Sequence, residues 1–126
     1  MLLQPPNANV KTFEYDFIID GVKLMRVHDC KFLGIFIDES LSWKRHIAHL
    51  NQKISIALFS IKQLKLTLPT ETLRTLYFSL IHPHLMFGIL AWGNAKMSLL
   101  RKTEVIQKRA ICTILKKKSF SHTDSY

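Results

Sequence analysis

The sequence predicts an α+β fold, in which a small antiparallel β unit of about three strands precedes a bundle of three to four helices. Apolar residues alternate with period two near the N-terminus, and from about residue 40 onward they recur every three or four residues. At 48% hydrophobic residues, the 126-residue chain can close one core. The length suits one domain or part of one, so a two-domain enzyme is not expected.

The β unit is predicted over residues 11–39. Aromatic and branched residues alternate with polar ones up to Asp20-Gly21, which is a tight-turn signal, and Val22 to Val27 forms the returning strand. The apolar run from Phe32 to Ile37 has the length of a third strand and is expected to be buried on both faces. Three strands of this size need helices to cover them.

The helical bundle is predicted over residues 40–115, and its first helix carries one apolar stripe for about 24 residues, roughly 36 Å. Ser40 or Ser42 is expected to cap this helix, and Asp38 and Glu39 are expected to lie at its positive N-terminal end. The apolar stripe consists of Trp43, Ile47, Leu50, Ile54, Leu58, Ile61 and Leu64.

A second helix is predicted to begin at Pro69, with Glu71 in its first turn, and to end or kink at His82-Pro83-His84. The apolar segment from Leu85 to Trp92 is expected to be the most buried helix and to stop at Gly93-Asn94 in a left-handed conformation.

The last helix is expected to be capped by Ser98. Its apolar positions are Leu99, Leu100, Ile106, Ala110, Ile111, Ile114 and Leu115, all expected to face inward. Residues 1–10 and the basic, polar residues 116–126 show no period and are expected to be disordered.

Charge is divided unevenly along the chain, whose formal net charge is +9. Residues 1–39 hold four Lys/Arg and six Asp/Glu, whereas residues 40–126 hold fourteen and three. This asymmetry suggests a polyanionic partner, either nucleic acid or an anionic membrane surface. The basic residues expected on outward helix faces are Lys44, Arg45, His49, Lys53, Lys62 and Lys65 in the first helix, and Arg101, Lys102, Lys108 and Arg109 in the last.

Other functional classes find little support in the sequence. The longest apolar run, Leu85 to Trp92, has 8 residues, far fewer than the roughly 20 needed to span a bilayer, and no signal-peptide pattern opens the chain. We expect an intracellular protein, nuclear or cytoplasmic, with Cys30 and Cys112 as reduced thiols. No zinc-ligand spacing or nucleophile set occurs, so no metal site is expected.

Several motifs occur in a characteristic order. They are Lys31-Phe32-Leu33-Gly34, Asp38, Leu41-x-Trp43-x-x-His46-Ile47, Leu68-Pro69, Tyr77 and Phe87-Gly88-x-x-x-Trp92-Gly93-Asn94. Over about residues 11–115, this set resembles the end of a non-LTR retrotransposon (LINE or jockey-like) reverse transcriptase. The resemblance implies palm-end strands over residues 11–39 and a helical thumb over residues 40–115.

The resemblance also implies roles for particular residues. The segment from Cys30 to Ile35 matches the primer grip, the hairpin that holds the primer 3′ end, so Lys31, Phe32, Leu33 and Gly34 join the basic helix residues as candidate nucleic-acid contacts. A glycine in such a loop lets the backbone approach nucleic acid closely. Lys11 matches a family lysine near the incoming nucleotide and is a general-acid candidate, although Ala8 stands where the family usually has asparagine.

The last helix departs from the family pattern at two positions, since the family commonly has leucine where this chain has Thr103 and arginine where it has Cys112. Gln107 matches a family glutamine. The larger departure concerns catalysis, because polymerase chemistry needs aspartates that hold two divalent metals and this chain contains no Asp-Asp pair. We therefore expect no catalytic residues and no cofactor here, with divalent Mg needed only in the full-length polymerase.

The resulting hypothesis is a fragment of an RNA-directed DNA polymerase that contributes template–primer binding and is inactive alone. Its expected partners are the backbone of an RNA/DNA or DNA duplex and the missing palm and fingers of the polymerase. One alternative is a standalone nucleic-acid-binding helical module derived from such an element. Another is a basic membrane-surface protein that uses amphipathic helices.

Overall fold

A computed structural model of the chain describes residues 1, 3 and 16–116. Its elements are β1 (Ile18–Ile19), β2 (Val22–Lys23), β3 (Asp29–Phe32), β4 (Ile35–Asp38), α1 (Lys44–Leu64), α2 (Thr70–Leu80), α3 (His82–Met86), α4 (Ile89–Trp92) and α5 (Met97–Ile114). This order confirms the α+β class with strands before helices. The chain divides into two units, Met1–His46 and Ile47–Tyr126, called here the N-terminal unit and the helical unit.

Strands β1 and β2 form a short antiparallel hairpin around the predicted Asp20-Gly21 turn. Both turn residues have positive φ, 49° and 77°, which glycine and aspartate tolerate better than most residues. The returning strand ends at Lys23 and not at Val27 as predicted. The earlier part of the predicted first strand, residues 11–15, lies outside the described residues.

The second hairpin corrects the prediction of one strand from Phe32 to Ile37. Strands β3 and β4 pair antiparallel from Asp29 opposite Asp38 to Phe32 opposite Ile35. The chain reverses at Leu33 and Gly34, whose φ angles of 50° and 84° are those of a tight hairpin turn. Phe32 and Leu33 are exposed, so the segment is not buried on both faces.

Helix α1 confirms most of the predicted apolar stripe. Its buried stripe residues are Ile47, Leu50, Ile54, Leu58 and Ile61, whereas Leu64, predicted to continue the stripe, is 39% exposed at the end of the helix. The helix begins at Lys44 because Trp43, with φ of 63°, lies outside the helical region of backbone conformation. Trp43 therefore precedes the helix and does not form its first apolar position.

Asp38 and Glu39 precede the first residue of α1 by six and five positions, and the first turn of α1 itself contains no acidic residue. Asp38 closes β4 and accepts hydrogen bonds from the Ser42 N–H at 2.8 Å and from the Ser40 hydroxyl at 3.1 Å. Glu39 lies 3.3 Å from Arg26 and 3.0 Å from His28. Asp38 thus stabilises the turn between β4 and α1.

Helix α2 begins after Pro69, as predicted, and Leu73 and Tyr77 are buried on its inner face. Ile81, fully buried, separates it from α3, which contains His82-Pro83-His84. The predicted end or kink at this tripeptide is therefore present.

The segment from Leu85 to Trp92 is not one buried helix. Gly88 has φ of 66° and separates α3 from α4. Leu85 and Trp92 are buried, but Leu90 is 95% exposed, so the prediction of the most buried helix is wrong. Gly93 is also not left-handed, since its φ is −62°.

Helix α5 begins after Lys96, with Ser98 inside the helix, so the predicted Ser98 cap is wrong. The buried residues of α5 are Thr103, Ala110, Thr113 and Ile114. Ile111 and Leu115, both expected to face inward, are 42% and 53% exposed. Apolar spacing alone predicted a wider buried face than the neighbouring helices cover.

Two hydrogen bonds join α5 to other helices of the helical unit. The Gln107 amide donates to the Tyr77 hydroxyl of α2 at 3.1 Å, and the Thr103 hydroxyl donates to the Asn51 side chain of α1 at 2.7 Å. Such bonds satisfy polar groups at partly buried positions. In the part of the chain that the structure describes, no helix combines the length and apolar character that crossing a membrane requires.

Candidate nucleic-acid interface

The tip of the β3–β4 hairpin carries the residues predicted as primer-grip contacts. Phe32 and Leu33 are 62% and 77% exposed, and Lys31 and Gly34 are also exposed. Leu33 holds a left-handed backbone conformation, which costs a non-glycine residue about 1 kcal/mol or more. An exposed apolar side chain at a strained turn contributes little to the stability of the hairpin, so its position suits a contact with something outside it.

Phe36 of β4 organises two of the predicted cations within the N-terminal unit. It is the register partner of Lys31, whose Nζ lies 5.4 Å from the ring centroid, and the Arg45 guanidinium carbon lies 4.8 Å from the same centroid. Cations at this distance from an aromatic face are attracted to it. The structure therefore brings Lys31 and Arg45 to one ring, beside the hairpin tip.

Sequence reasoning did not identify Phe36 as part of this arrangement. The register of the hairpin could have indicated it, because Phe36 and Lys31 are directly opposite once the turn is placed at Leu33-Gly34. Asp29 was also missed; it forms an ion pair with Arg45. The Asp29 carboxylate therefore partly neutralises the positive charge of Arg45.

The predicted cations of α1 do not lie along a single line. Lys53 and Lys62 are exposed and nine residues apart, which places them about 180° apart around the helix axis. Ile56 and Phe59 lie between them in sequence and are themselves exposed. Lys44 is exposed as well, whereas His49 and Lys65 are half-buried. The solvent-facing surface of α1 thus combines cations at its flanks with apolar residues between them.

The four predicted cations of α5 are all exposed. Arg101 and Lys108 are seven residues apart, as are Lys102 and Arg109, so they form two rows that each extend about 10 Å along the helix. Lys108 already contacts Glu104 at 2.7 Å, and its hydrogen bond and charge lower the pKa of the Glu104 carboxyl. Both partners are about half exposed, so the pair is weak and a phosphate can compete for Lys108.

Asp38 supports the connection between the hairpin and α1. Partial burial acts to raise the pKa of its carboxyl, but the hydrogen bonds from Ser42 and Ser40 outweigh burial, and the pKa lies below its usual value. The ionised carboxylate is therefore the form that holds this turn.

Two further predictions concern catalysis. Lys11, the general-acid candidate, lies outside the described residues. Across residues 16–116, no three His, Cys, Asp or Glu side chains come together in a group that could hold a metal ion.

Comparison with known proteins gives one consistent result. The chain is 29% identical over 98 residues to the RNA-directed DNA polymerase from mobile element jockey of Drosophila funebris, and 30% identical over 95 residues to that of Drosophila melanogaster. It is 27% identical over 99 residues to the probable RNA-directed DNA polymerase from transposon BS of Drosophila melanogaster.

These matches cover 71–76% of the chain but only 10–11% of each relative. The chain therefore spans about a tenth of the length of the curated relatives that it matches. No family model matches the chain, and no solved structure matches it.

Proposed function

The chain is related over about three quarters of its length to the RNA-directed DNA polymerases of jockey and BS mobile elements, and from this relationship we propose that it acts as the duplex-binding segment of such a polymerase. In this proposal it contacts the template–primer duplex and performs no catalytic step by itself. The observation that carries the proposal is the match to these polymerases combined with the exposed cations of α1 and α5.

The hairpin tip contacts the primer strand near its 3′ end. Gly34 leaves the backbone open to close approach, while the exposed Leu33 and Phe32 present apolar surface to sugar and base edges. Lys31 and Arg45, held at the Phe36 ring, supply positive charge to the adjacent phosphates. The backbone strain at Leu33 supports this role, because strain of this kind concentrates at functional sites.

The helical unit contacts the sugar–phosphate backbone and does not read base sequence. Lysine and arginine on helix surfaces neutralise phosphates through non-specific, salt-sensitive contacts. The two rows on α5 and the flanking lysines of α1 distribute these contacts along the helices. Stacking of bases on Tyr77 or Trp92 is not part of the proposal, since both side chains are buried.

The test uses the full chain and two RNA/DNA duplexes of equal length, one with a recessed primer 3′ end and one blunt. We expect tighter binding to the recessed duplex, and we expect Lys31→Glu to remove this preference. Lys96→Glu is the matched control, because Lys96 is exposed and lies outside the proposed contact set. Equal affinity of the wild-type chain for both duplexes would contradict the primer-end role, and no binding to either would contradict duplex binding altogether.

A further inference from the structure

A groove of about 360 Å³ opens on the helical unit between α2 and α5, and the residues that line it include none of the cations assigned to duplex binding. The groove is lined by Phe78 of α2, by Ile111 of α5 and by Leu115, which directly follows α5. All three side chains are about half exposed. A cleft of this size, lined mostly by apolar side chains with a few polar groups, is typical of a ligand or peptide site. Ile111 and Leu115 are the residues whose spacing predicts burial but which the helices leave uncovered.

Two basic side chains also line this groove. The Arg74 guanidinium carbon lies 5.8 Å from the centroid of the Phe78 ring, and the His82 ring lies 5.3 Å from it. Among the described residues, no carboxylate lies within ion-pair distance of Arg74 or His82. Glu104, an acidic residue of α5, is engaged by Lys108. The groove therefore presents apolar surface and positive charge without an anion of its own.

We propose that this groove binds an acidic peptide segment of a partner protein, one in which a large apolar side chain is flanked by Asp or Glu. The apolar side chain packs on Phe78, Ile111 and Leu115, and a carboxylate pairs with Arg74. His82 donates a further hydrogen bond at the edge of the groove. This inference goes beyond duplex binding and does not depend on it.

The features of the groove favour an acidic peptide over two other possible occupants, a second copy of the chain and nucleic acid. The same groove on a second copy carries the same arginine, so two copies that meet groove to groove place like charges together. A nucleic-acid backbone is bound through several cations, whereas this groove is lined by one arginine and one histidine. The Arg74 guanidinium also already lies over the Phe78 ring on which a base would stack. An acidic, apolar peptide satisfies both the charge and the apolar surface.

The probe is a fluorescein-labelled ten-residue peptide in which leucine and phenylalanine alternate with glutamate. Two matched probes carry lysine in place of glutamate, or serine in place of the apolar residues. Fluorescence anisotropy with the full chain should show saturable binding of the first probe and at least about tenfold weaker binding of the other two. Equal binding of the lysine probe, or no binding of the glutamate probe, overturns the proposal.

Variants of the chain locate the site. Phe78→Ala and Arg74→Glu should each weaken binding of the glutamate probe by about tenfold or more, because aromatic and arginine side chains dominate such interfaces. Lys96→Glu, which makes the same charge change outside the groove, should leave the affinity within about twofold. Unchanged circular dichroism spectra show that each variant is folded, and equal effects of Arg74→Glu and Lys96→Glu would overturn the assignment.

Two further readouts separate the alternative occupants and the duplex proposal. Arg74→Glu should reduce duplex affinity no more than Lys96→Glu does; a larger loss would assign the groove to nucleic acid and overturn the peptide proposal. Sedimentation velocity should show a monomer in both wild type and Phe78→Ala. A dimer that Phe78→Ala abolishes would assign the groove to a second copy and also overturn it. Because duplex binding is measured separately, failure here leaves the proposed function unaffected.

Discussion

The hydroxyl of Thr103 in α5 donates a hydrogen bond to the side-chain oxygen of Asn51 in α1 at 2.7 Å, across a sequence separation of 52 residues. Thr103 is buried and Asn51 half-buried. Thr103 stands where the resemblance leads one to expect leucine, so this bond accommodates the departure: a polar pair joins α1 and α5 at a position where an apolar contact is expected. A hydrogen bond between α1 and α5 thus replaces the apolar contact that leucine would make.

Breaking this pair should destabilise the helical unit. Thr103→Val keeps the side-chain volume but removes the hydroxyl that donates to Asn51. Because the Asn51 oxygen then lacks this donor at a partly buried position, the free energy of unfolding should fall by about 1 kcal/mol or more. The double variant Thr103→Val with Asn51→Leu should cost less than the sum of the single variants, since both polar groups are then absent. Urea unfolding of the four proteins measures the coupling, and strictly additive effects would show that the bond contributes nothing.

Relieving the backbone strain at the hairpin tip should weaken primer-end binding without lowering the stability of the protein. Leu33→Gly removes the positive-φ penalty at a position with an exposed side chain, so the thermal midpoint should stay the same or rise. The same variant should weaken binding to a recessed primer end by a few-fold, because the apolar contact is lost. Val22→Ala, which also shortens an exposed apolar side chain but lies in the first hairpin, is the control. If Leu33→Gly leaves the recessed-end preference intact, Leu33 is not a primer contact.

Asp38 should make stability dependent on acid pH. Its folded-state pKa is lower than the unfolded value of about 3.9, so between the two values the unfolded chain binds more protons than the folded chain. The contribution of Asp38 is therefore fully present above about pH 5 and is lost as the pH falls through the folded pKa. Asp38→Asn should flatten the acid limb of a stability–pH curve, and Glu71→Gln, the same kind of change at an exposed position of α2, is the matched control. Equal curves for wild type and Asp38→Asn would contradict this assignment.

Removing the carboxylate that pairs with Arg45 should strengthen duplex binding. Asp29→Asn leaves Arg45 at the Phe36 ring but frees its charge for a phosphate, so duplex affinity should rise by about threefold at low salt. Asp20→Asn removes the same charge from the β1–β2 turn and controls for the change in net charge. The two variants are compared by duplex titration, and an equal gain from both would show that only net charge matters.

The regular parts of the fold could be predicted from sequence because their periodicity is sustained. The apolar residues of α1 keep helical spacing for about five turns, and the strong turn signal of Asp20-Gly21 fixes the first hairpin. The apolar run conceals the turn at Leu33-Gly34, because leucine rarely adopts positive φ, and only the resemblance to a primer-grip hairpin indicated a reversal there. The break at Gly88 was concealed in the same way, within the apolar segment before Trp92.

The candidate site was predictable in its residue types but not in its arrangement. Exposure of the α5 cations follows from helical spacing, whereas the meeting of Lys31 and Arg45 at Phe36 depends on a hairpin register that spacing does not supply. The exposure of Ile111 and Leu115 could not be predicted either, because periodicity identifies an apolar face but not what covers it.

The salt dependence of duplex binding tests the central claim most directly. Filter binding of the full chain to an RNA/DNA duplex over a range of salt concentrations should give about 4 to 6 phosphate contacts, with a slope of log affinity against log salt near −4 to −5. The triple variant Lys53→Glu, Lys62→Glu, Arg109→Glu removes three exposed cations and should reduce the magnitude of that slope by up to about 3, because each phosphate contact that is lost removes about 0.9. A folded chain that fails to bind the duplex at low salt, or a slope unchanged in the triple variant, would contradict the account.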